Sequence, residues 1–359
     1  MKRILVTGAG GPGAINMCRS LMMAPEPLYL VGCDAGPHFL HLAETHERHL
    51  VPRADRRDEY LAALSKLVVA RRIDLILPNN SIEALVLSEN RRALPAPVFL
   101  PRPRTLAIAN NKWDSYLLWR SAGLPVPRTF LIEAPDDIVA VFREVESRPV
   151  WVRGAGIPGK GIGVASLPCR TPEQAAAWVD YWGGWGGMIA SEFLPGDNLT
   201  WIGLWRGGEL ITSQGRQRDA YIIPHVSPSG VTGAPAISHT VRRDDLNRLG
   251  VEASTVLDPE LDGVAFLDFK CDAEGRPKLT EINAGRFGTT HHFYTVAGLN
   301  LPWLLTRMAL GQPLPEGGAQ YNPLPEGLYW VRTLDSNPAL VSAEELGAPR
   351  RRPAPPSED

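Results

Sequence analysis

Three oxygen-bearing side chains stand out late in the chain: Asp268 in the run FLDFK, and Glu281 and Asn283 in the run TEIN. Residues i and i+2 of a strand share a face, so the glutamate and the asparagine point the same way. If the two runs pair as neighbouring strands, all three side chains converge. Two carboxylates and an amide oxygen are hard ligands, a set that suits Mg2+ while the ion also holds phosphate. An unpaired buried carboxylate is costly, so a glutamate and an asparagine two apart on an apolar strand make poor core filler. The plain alternative is a partly exposed sheet face.

A second cluster is RGAGIPGKGIGV, Arg153 to Val164, in which glycines 154, 156, 159, 161 and 163 surround Lys160. A glycine-rich hairpin can lie over a polyphosphate and donate backbone N–H groups, with Lys160 and Arg153 supplying charge. No G-K-[ST] opens a helix here, so it is not a Walker loop. An ordinary flexible hairpin is the alternative. An earlier loop, Gly8, Gly10 and Gly13, has the G-x-G-x-x-G spacing, and Asp34 follows at the end of the next strand. That is a dinucleotide fingerprint, although the same geometry also serves as a tight strand–helix turn. Arg216 and Arg218 fall on one side of a strand and could clamp a carboxylate bidentately, against the alternative of a solvated edge strand. HVSPSGVTG, with Ser229, reads as a substrate loop. Thr289, Thr290, His291 and His292 could line a pocket, and capping of the following helix is preferred for the histidines. His38, His41, His46 and His49 form two H-x-x-H pairs; with no cysteine beside them, a solvated helical face is preferred over a metal site. Trp178, Trp182 and Trp185 read as packing.

These groups need elements to hold them. The first third alternates strand-like runs (RILVT, LYLVGCD, DLILP) with helical spacing at Ala14–Met22, EYLAALSKLVVARR and IEALVLSENRR, which implies a mainly parallel sheet. Four prolines between Pro95 and Arg104 read as a linker. A helix is expected over Asn110–Ala122. From about Ala190, longer runs (MIASEFL, LTWIGLWRG, ELITSQGR, GVAFLDFK, PKLTEIN) predict an antiparallel sheet, broken by helices at Asp244–Leu257 and Leu301–Leu310. A length of 359 residues suits a little over two domains. Lys+Arg of 37 against Asp+Glu of 39 gives a net charge of −2, with no electrostatic footprint for nucleic acid or anionic membrane. Four scattered cysteines, no run long enough to span a bilayer and an early glycine in MKRILVTGAGG predict a cytoplasmic protein with reduced thiols.

Taken in order, from Lys2 to Gly311, these pieces resemble the ATP-grasp superfamily. The likeness is strongest to stand-alone enzymes related to the carbamoyl phosphate synthase large chain, and more distant to D-alanine–D-alanine ligase and biotin carboxylase. The resemblance implies a combined α/β and α+β architecture: a Rossmann-like pre-ATP-grasp domain at 1–105, followed by a two-subdomain ATP-grasp fold. The N-terminal subdomain with the glycine loop would occupy 106–189, and the C-terminal subdomain with the metal site 190–315. Residues 316–359 would be an extension, and its end, PRRRPAPPSED, is expected to be disordered.

By the same resemblance, Lys112 in NNKWDSYLLWRSAGLPVPRT and Arg153 at the end of PVWVR contact ATP phosphates. Gly159, Lys160 and Gly161 belong to the mobile loop above them. In SEFLPGDN, Glu192 takes the adenine amino group, and Phe193 and Leu194 take the ring through backbone groups. The usual ribose-binding glutamate falls at Asn198, with Asp197 beside it as a substitute. Asp268, Glu281 and Asn283 match the Mg2+ ligands, with Mn2+ as an alternative ion. Arg286 matches the arginine that faces phosphate or acyl phosphate, although N-A-G-R is one residue longer than the usual N-P-R. Arg286, Lys160 and Arg153 would be the catalytic groups, and Arg216, Arg218, Ser229 and Arg286 the substrate contacts. The implied activity is an ADP-forming, ATP- and Mg2+-dependent ligation of a small-molecule or amino-acid carboxylate to an amine through an acyl phosphate, by a homodimer. The competing readings are an NAD(P)-linked oxidoreductase using the Gly8–Gly13 loop and a non-catalytic ATP-binding regulatory module. A carbamate- or carboxyphosphate-forming enzyme is a further variant within the superfamily.

Overall fold

The computed structural model describes residues 1–160, 165–231, 233–334 and 339–345. Gly161 and Gly163 of the second glycine loop and the end PRRRPAPPSED lie outside them. The chain opens with β1 (Lys2–Thr7), α1 (Pro12–Met22), β2 (Leu28–Asp34), β3 (Glu47–Leu50), α2 (Arg57–Arg71), β4 (Leu75–Leu77) and α3 (Ser81–Glu89). β1 to β4 form a parallel sheet in the order β3-β2-β1-β4. Then come α4 (Pro103–Asn110), α5 (Lys112–Ser121), β5 (Thr129–Ile132), α6 (Pro135–Glu144), β6 (Val150–Gly154), β7 (Leu167–Cys169), α7 (Pro172–Tyr181) and β8 (Met188–Glu192). Here β5-β8-β6-β7 make an antiparallel sheet. The remainder is β9 (Asn198–Arg206), β10 (Glu209–Tyr221), β11 (Pro235–Val241), α8 (Asp244–Leu257), β12 (Gly263–Cys271), β13 (Pro277–Ala284), α9 (His292–Val296), α10 (Leu301–Ala309), β14 (Leu328–Val331) and β15 (Ala339–Ser342). These strands build an antiparallel sheet in the order β13-β12-β9-β10-β11-β14-β15, so strands beyond residue 315 complete it. No described helix is long and apolar enough to cross a membrane.

Several elements differ from the sequence reading. The helix expected over Asn110–Ala122 is α5, which begins at Lys112 because Asn111 is extended and its side chain accepts the Trp113 and Asp114 amides as an N-cap, whereas the proline stretch read as a linker runs into a separate helix, α4, with Pro103 in its first turn. The four histidines do not share a helix. Phe39–Leu42 is one 3-10 turn, His46 stacks on Tyr29, and His49 lies on the edge strand β3 beside Glu47. Neither His291 nor His292 caps α9 with its side chain: His291 Nδ1 meets the Gly288 carbonyl and His292 Nδ1 meets Ser20 Oγ. Trp178 donates to the Ala165 carbonyl and stacks on Tyr181, while Trp182 is partly exposed.

The first glycine loop is filled by protein. A Cβ on Gly10 would come within 2.2 Å of the Phe39 carbonyl oxygen, and one on Gly13 within 2.2 Å of Asn79 Nδ2. Asp34, the acid of the fingerprint, already accepts the Gly10 and Gly36 amides at 2.9 and 2.8 Å. The close backbone approach that these glycines permit is used for packing against Phe39 and Asn79, and the acid of the fingerprint is spent on backbone amides, so nothing at this loop supports the dinucleotide reading. Gly10→Ala is expected to cost about 2–3 kcal/mol, as overpacking against backbone does, and to lower the melting temperature measurably.

Beneath that loop, Glu83 is 5% exposed and accepts from Thr7 Oγ1 at 2.8 Å. Burial pushes its carboxyl up to about 7 from 4.5, against the Thr7 and Tyr60 hydroxyls and with help from Asp34. The folded state therefore binds a proton that the unfolded state releases. The associated stability is complete below pH 4.5 and is lost as pH rises through about 7, a swing on the order of 3 kcal/mol. Glu83→Gln keeps the bond from Thr7 and should raise the melting temperature at pH 8 while leaving it nearly unchanged at pH 4.5.

Candidate functional site

The carboxylates meet because β12 and β13 pair with Asp268 directly opposite Glu281 and Phe266 opposite Asn283. The register then slips: Phe269 faces Leu279, and Thr280 is left as a bulge. Plain alternation would put Lys278 on the face away from Glu281. The bulge turns it back, so that Lys278 sits opposite Lys270 on the site face. Across β9 and β10 the row continues: Asp268 stands beside Thr200, and Thr200 beside Arg216, with Arg218 two residues on. The opposite face of the sheet, with Leu267, Phe269, Leu279, Ile282 and Trp201, is core.

Five cations surround the two carboxylates. Lys112 Nζ and Arg153 Nη1 each lie 3.6 Å from Glu281, and Arg218 Nη2 lies 2.5 Å from Asp268. Lys112 is held by the start of α5, whose amide donates to the Ala155 carbonyl at 2.8 Å. Arg153 donates to the carbonyl of the bulged Thr280 at 2.5 Å. Arg286 bonds Asn283 Oδ1 and donates from Nε to Ser81 Oγ at 2.8 Å, so the extra residue does not carry it away. Gly285, at φ +73°, makes that turn. Arg216 is 2% exposed and bonds the Thr200 and Thr290 hydroxyls. β10 lies inside the sheet, between β9 and β11, so the solvated-edge alternative for these arginines is overturned.

Burial would push Glu281 up, but Lys112, Arg153, Arg286 and Arg218 outweigh it and hold the carboxyl below its usual range. Asp268 is pushed up, first by burial and then by Glu281, against Arg218 and Arg216. Burial lowers Lys112 and Arg153. The two carboxylates and the Asn283 amide oxygen, which here accepts from Arg286, are hard oxygen donors of the kind that suit a divalent cation. Among the described residues no cluster of three or more His, Cys, Asp and Glu forms a metal site; the candidate set has two carboxylates and an amide.

Most of the other sequence candidates make their contacts elsewhere. Lys160 is exposed and packs its side chain over Gly186 and Gly187. Ser229 meets Ser166 and Ser227 at 3.0 and 2.9 Å. Glu192 is paired with Lys278, and the Phe193 amide donates to Ser147 Oγ at 3.1 Å. Leu194 is buried, Asp197 is exposed, and Asn198 opens β9 opposite Arg218 and Lys270. Sequence reasoning missed Thr200, Lys270, Lys278 and Ser81, whereas Thr290, read as a pocket-lining candidate, does bond Arg216. Thr200 was legible, since it alternates with the core-facing Leu199 and Trp201 in LTWIG; the others depend on register or on another layer.

No family model matches the chain. It is 28% identical over 194 residues to the D-alanine–D-alanine ligase of Laribacter hongkongensis, covering 53% of this chain and 61% of that protein. The chain thus spans about three fifths of that relative's length. Among solved structures, the biotin carboxylase domain of Hydrogenobacter thermophilus 2-oxoglutarate carboxylase superposes with a TM-score of 0.68 at 14% identity, over 92% of this chain and 73% of that one. The L-amino acid ligase of Bacillus licheniformis gives 0.66 at 16% identity, over 92% and 79%. These proteins belong to the ATP-grasp superfamily, and the chain shares their fold.

Proposed function

We propose that the protein is an ADP-forming ligase that uses ATP and Mg2+ to join a small-molecule or amino-acid carboxylate to an amine. The observation that carries this reading is the site face itself: five cationic side chains against two carboxylates leave an excess of three positive charges, suited to a triphosphate carrying a divalent cation. The kinds of protein it resembles, two ligases and a biotin carboxylase domain solved with MgADP, point the same way.

In this reading Asp268, Glu281 and Asn283 hold the metal, which when bound offsets phosphate charge during transfer. Lys112 and Arg153 contact the phosphates from the side of β6 and α5. The substrate carboxylate oxygen attacks the γ-phosphorus, ADP leaves, and the amine then displaces phosphate from the acyl phosphate. Arg286 and Arg218 neutralise charge developing on the transferred group, and the chain contributes positioning and electrostatics rather than a covalent nucleophile. Residues Gly159 and Lys160 would move over the phosphates on binding, and Ser229 would face the acceptor. The base would lie by Glu192, Phe193 and Leu194, and the ribose by Asp197 or Asn198. Residues 1–105 would be the pre-ATP-grasp domain, 106–189 and 190–315 the two ATP-grasp subdomains, and a cytoplasmic homodimer the working form. The four buried free cysteines agree with a reducing compartment.

A screen of acids and amines for phosphate release tests the proposal. ADP and phosphate are expected only when ATP, Mg2+, a carboxylate and an amine are all present, and Mg·ATP but not NADPH should raise the melting temperature. A melting rise with NADPH alone, or none with Mg·ATP, would sink it.

A further inference from the structure

The segment that follows the candidate metal strand is fastened to the layer of the first sheet. Arg286 Nε donates to Ser81 Oγ at 2.8 Å, Asn16 Nδ2 donates to the Thr289 carbonyl at 2.6 Å, and Ser20 Oγ meets His292 Nδ1 at 2.9 Å. Asn16 and Ser20 belong to α1, and Ser81 opens α3. Asn80 caps α3, its Oδ1 accepting the Ile82 and Glu83 amides at 2.9 and 3.0 Å, so the helix start does not need the Ser81 hydroxyl. Among the described residues Arg286 has two side-chain partners, Ser81 and Asn283, and forms no ion pair.

We propose that Ser81 is a positioning residue for phosphoryl transfer: from the layer of the first sheet it holds the Arg286 guanidinium toward the γ-phosphate. This rests on the function proposed above, in which Arg286 neutralises charge on the transferred group. In that reading Asn283 gives its amide oxygen to the metal. An oxygen that faces a dication is a poorer acceptor for a second cation beside it, so the Arg286–Asn283 bond weakens when the nucleotide is loaded. Ser81 then remains as the acceptor that fixes the guanidinium. A neutral hydroxyl oxygen suits this task, because it directs the guanidinium without a counter-charge that would offset it. A guanidinium left without that bond loses its aim, and a charged hydrogen bond to phosphate corresponds to about tenfold in affinity, since about 1.4 kcal/mol is tenfold.

Calorimetric binding of Mg·AMP-PNP and Mg·ADP to the full chain separates the outcomes, because only the first carries a γ-phosphoryl group. Ser81→Ala is expected to lower the affinity for Mg·AMP-PNP about tenfold and to leave that for Mg·ADP nearly unchanged. It should melt close to the wild type, since Asn80 still caps α3. Ser81→Thr, which keeps the hydroxyl, should bind both nucleotides as the wild type does, and Ser81→Val, the isostere without one, should repeat the alanine result. In an Arg286→Ala background, Ser81→Ala should lower neither affinity further, because it acts through that guanidinium. Should Ser81→Ala fail to fold, the comparison of Ser81→Thr with Ser81→Val decides alone. An unchanged Mg·AMP-PNP affinity in Ser81→Ala, an equal loss for both nucleotides, a Ser81→Val that binds as Ser81→Thr does, or a further loss in the Arg286→Ala background overturns this inference and leaves the ligase reading standing. Failure of the wild type to bind either nucleotide overturns the ligase reading itself.

Discussion

Glu281→Gln is expected to cut ADP release by about 10²–10³-fold while the protein still folds and melts cooperatively. The substitution keeps the shape of the side chain and removes one negative charge. Glu281 faces Asp268 across the β12–β13 ladder and lies 3.6 Å from both Lys112 and Arg153. With glutamine there, Asp268 remains the sole carboxylate of the proposed metal set and the excess of positive charge grows. A neutral amide is also a weaker hard ligand than a carboxylate. Binding of Mg2+ should therefore suffer more than binding of the free nucleotide, and raising Mg2+ should recover part of the loss. Near-normal turnover at ordinary Mg2+ would remove Glu281, and with it the proposed metal set, from the chemistry.

Arg216→Met is expected to have opposite effects on stability and on ligand binding. The guanidinium is 2% exposed, and among the described residues no carboxylate lies within ion-pair distance of it. Its partners are the Thr200 and Thr290 hydroxyls and the faces of Phe266 and Tyr294, each 5.8 Å away. Removing a cation from water without a counter-ion costs several kcal/mol, of which cation–π contacts return about 1–2. Burial accordingly lowers its pKa. Methionine fills a similar volume without that penalty, so the ligand-free variant should melt a few degrees higher. The same change removes a charge beside Arg218 on the face proposed to bind the nucleotide. Affinity for Mg·ATP is expected to fall about tenfold or more, whereas affinity for adenosine should hold. Melting curves with and without Mg·ATP report both effects. A lower ligand-free melting temperature with an undiminished rise on Mg·ATP would make Arg216 structural only.

Much of the layout was legible in the residues. Alternation in GVAFLDFK and PKLTEIN marks half-polar strands, and the pairing of Asp268 with Glu281 follows once those strands are neighbours. The strand LYLVGCD and the helix Asp244–Leu257 fall at the bounds read from the sequence, because each is closed by a local signal of charge, cap or glycine. Position in a sheet was less legible. Nothing in GRQR distinguishes an edge from an interior strand, since that depends on whether β11 lies alongside β10. Nor could G-x-G-x-x-G tell whether the space its glycines leave is taken by a pyrophosphate or by Phe39 and Asn79.

By itself, the sequence determined which side chains could carry charge and hard oxygen ligands, and the periodicities that sort them onto faces, because both are properties of nearest neighbours along the chain. Only the tertiary structure decided that Thr280 is a bulge, that Lys278 consequently meets Glu192, and that Ser81 from the first sheet's layer braces Arg286. The Lys278–Glu192 and Arg286–Ser81 contacts join residues 86 and 205 positions apart, and no local pattern encodes which of them will find each other.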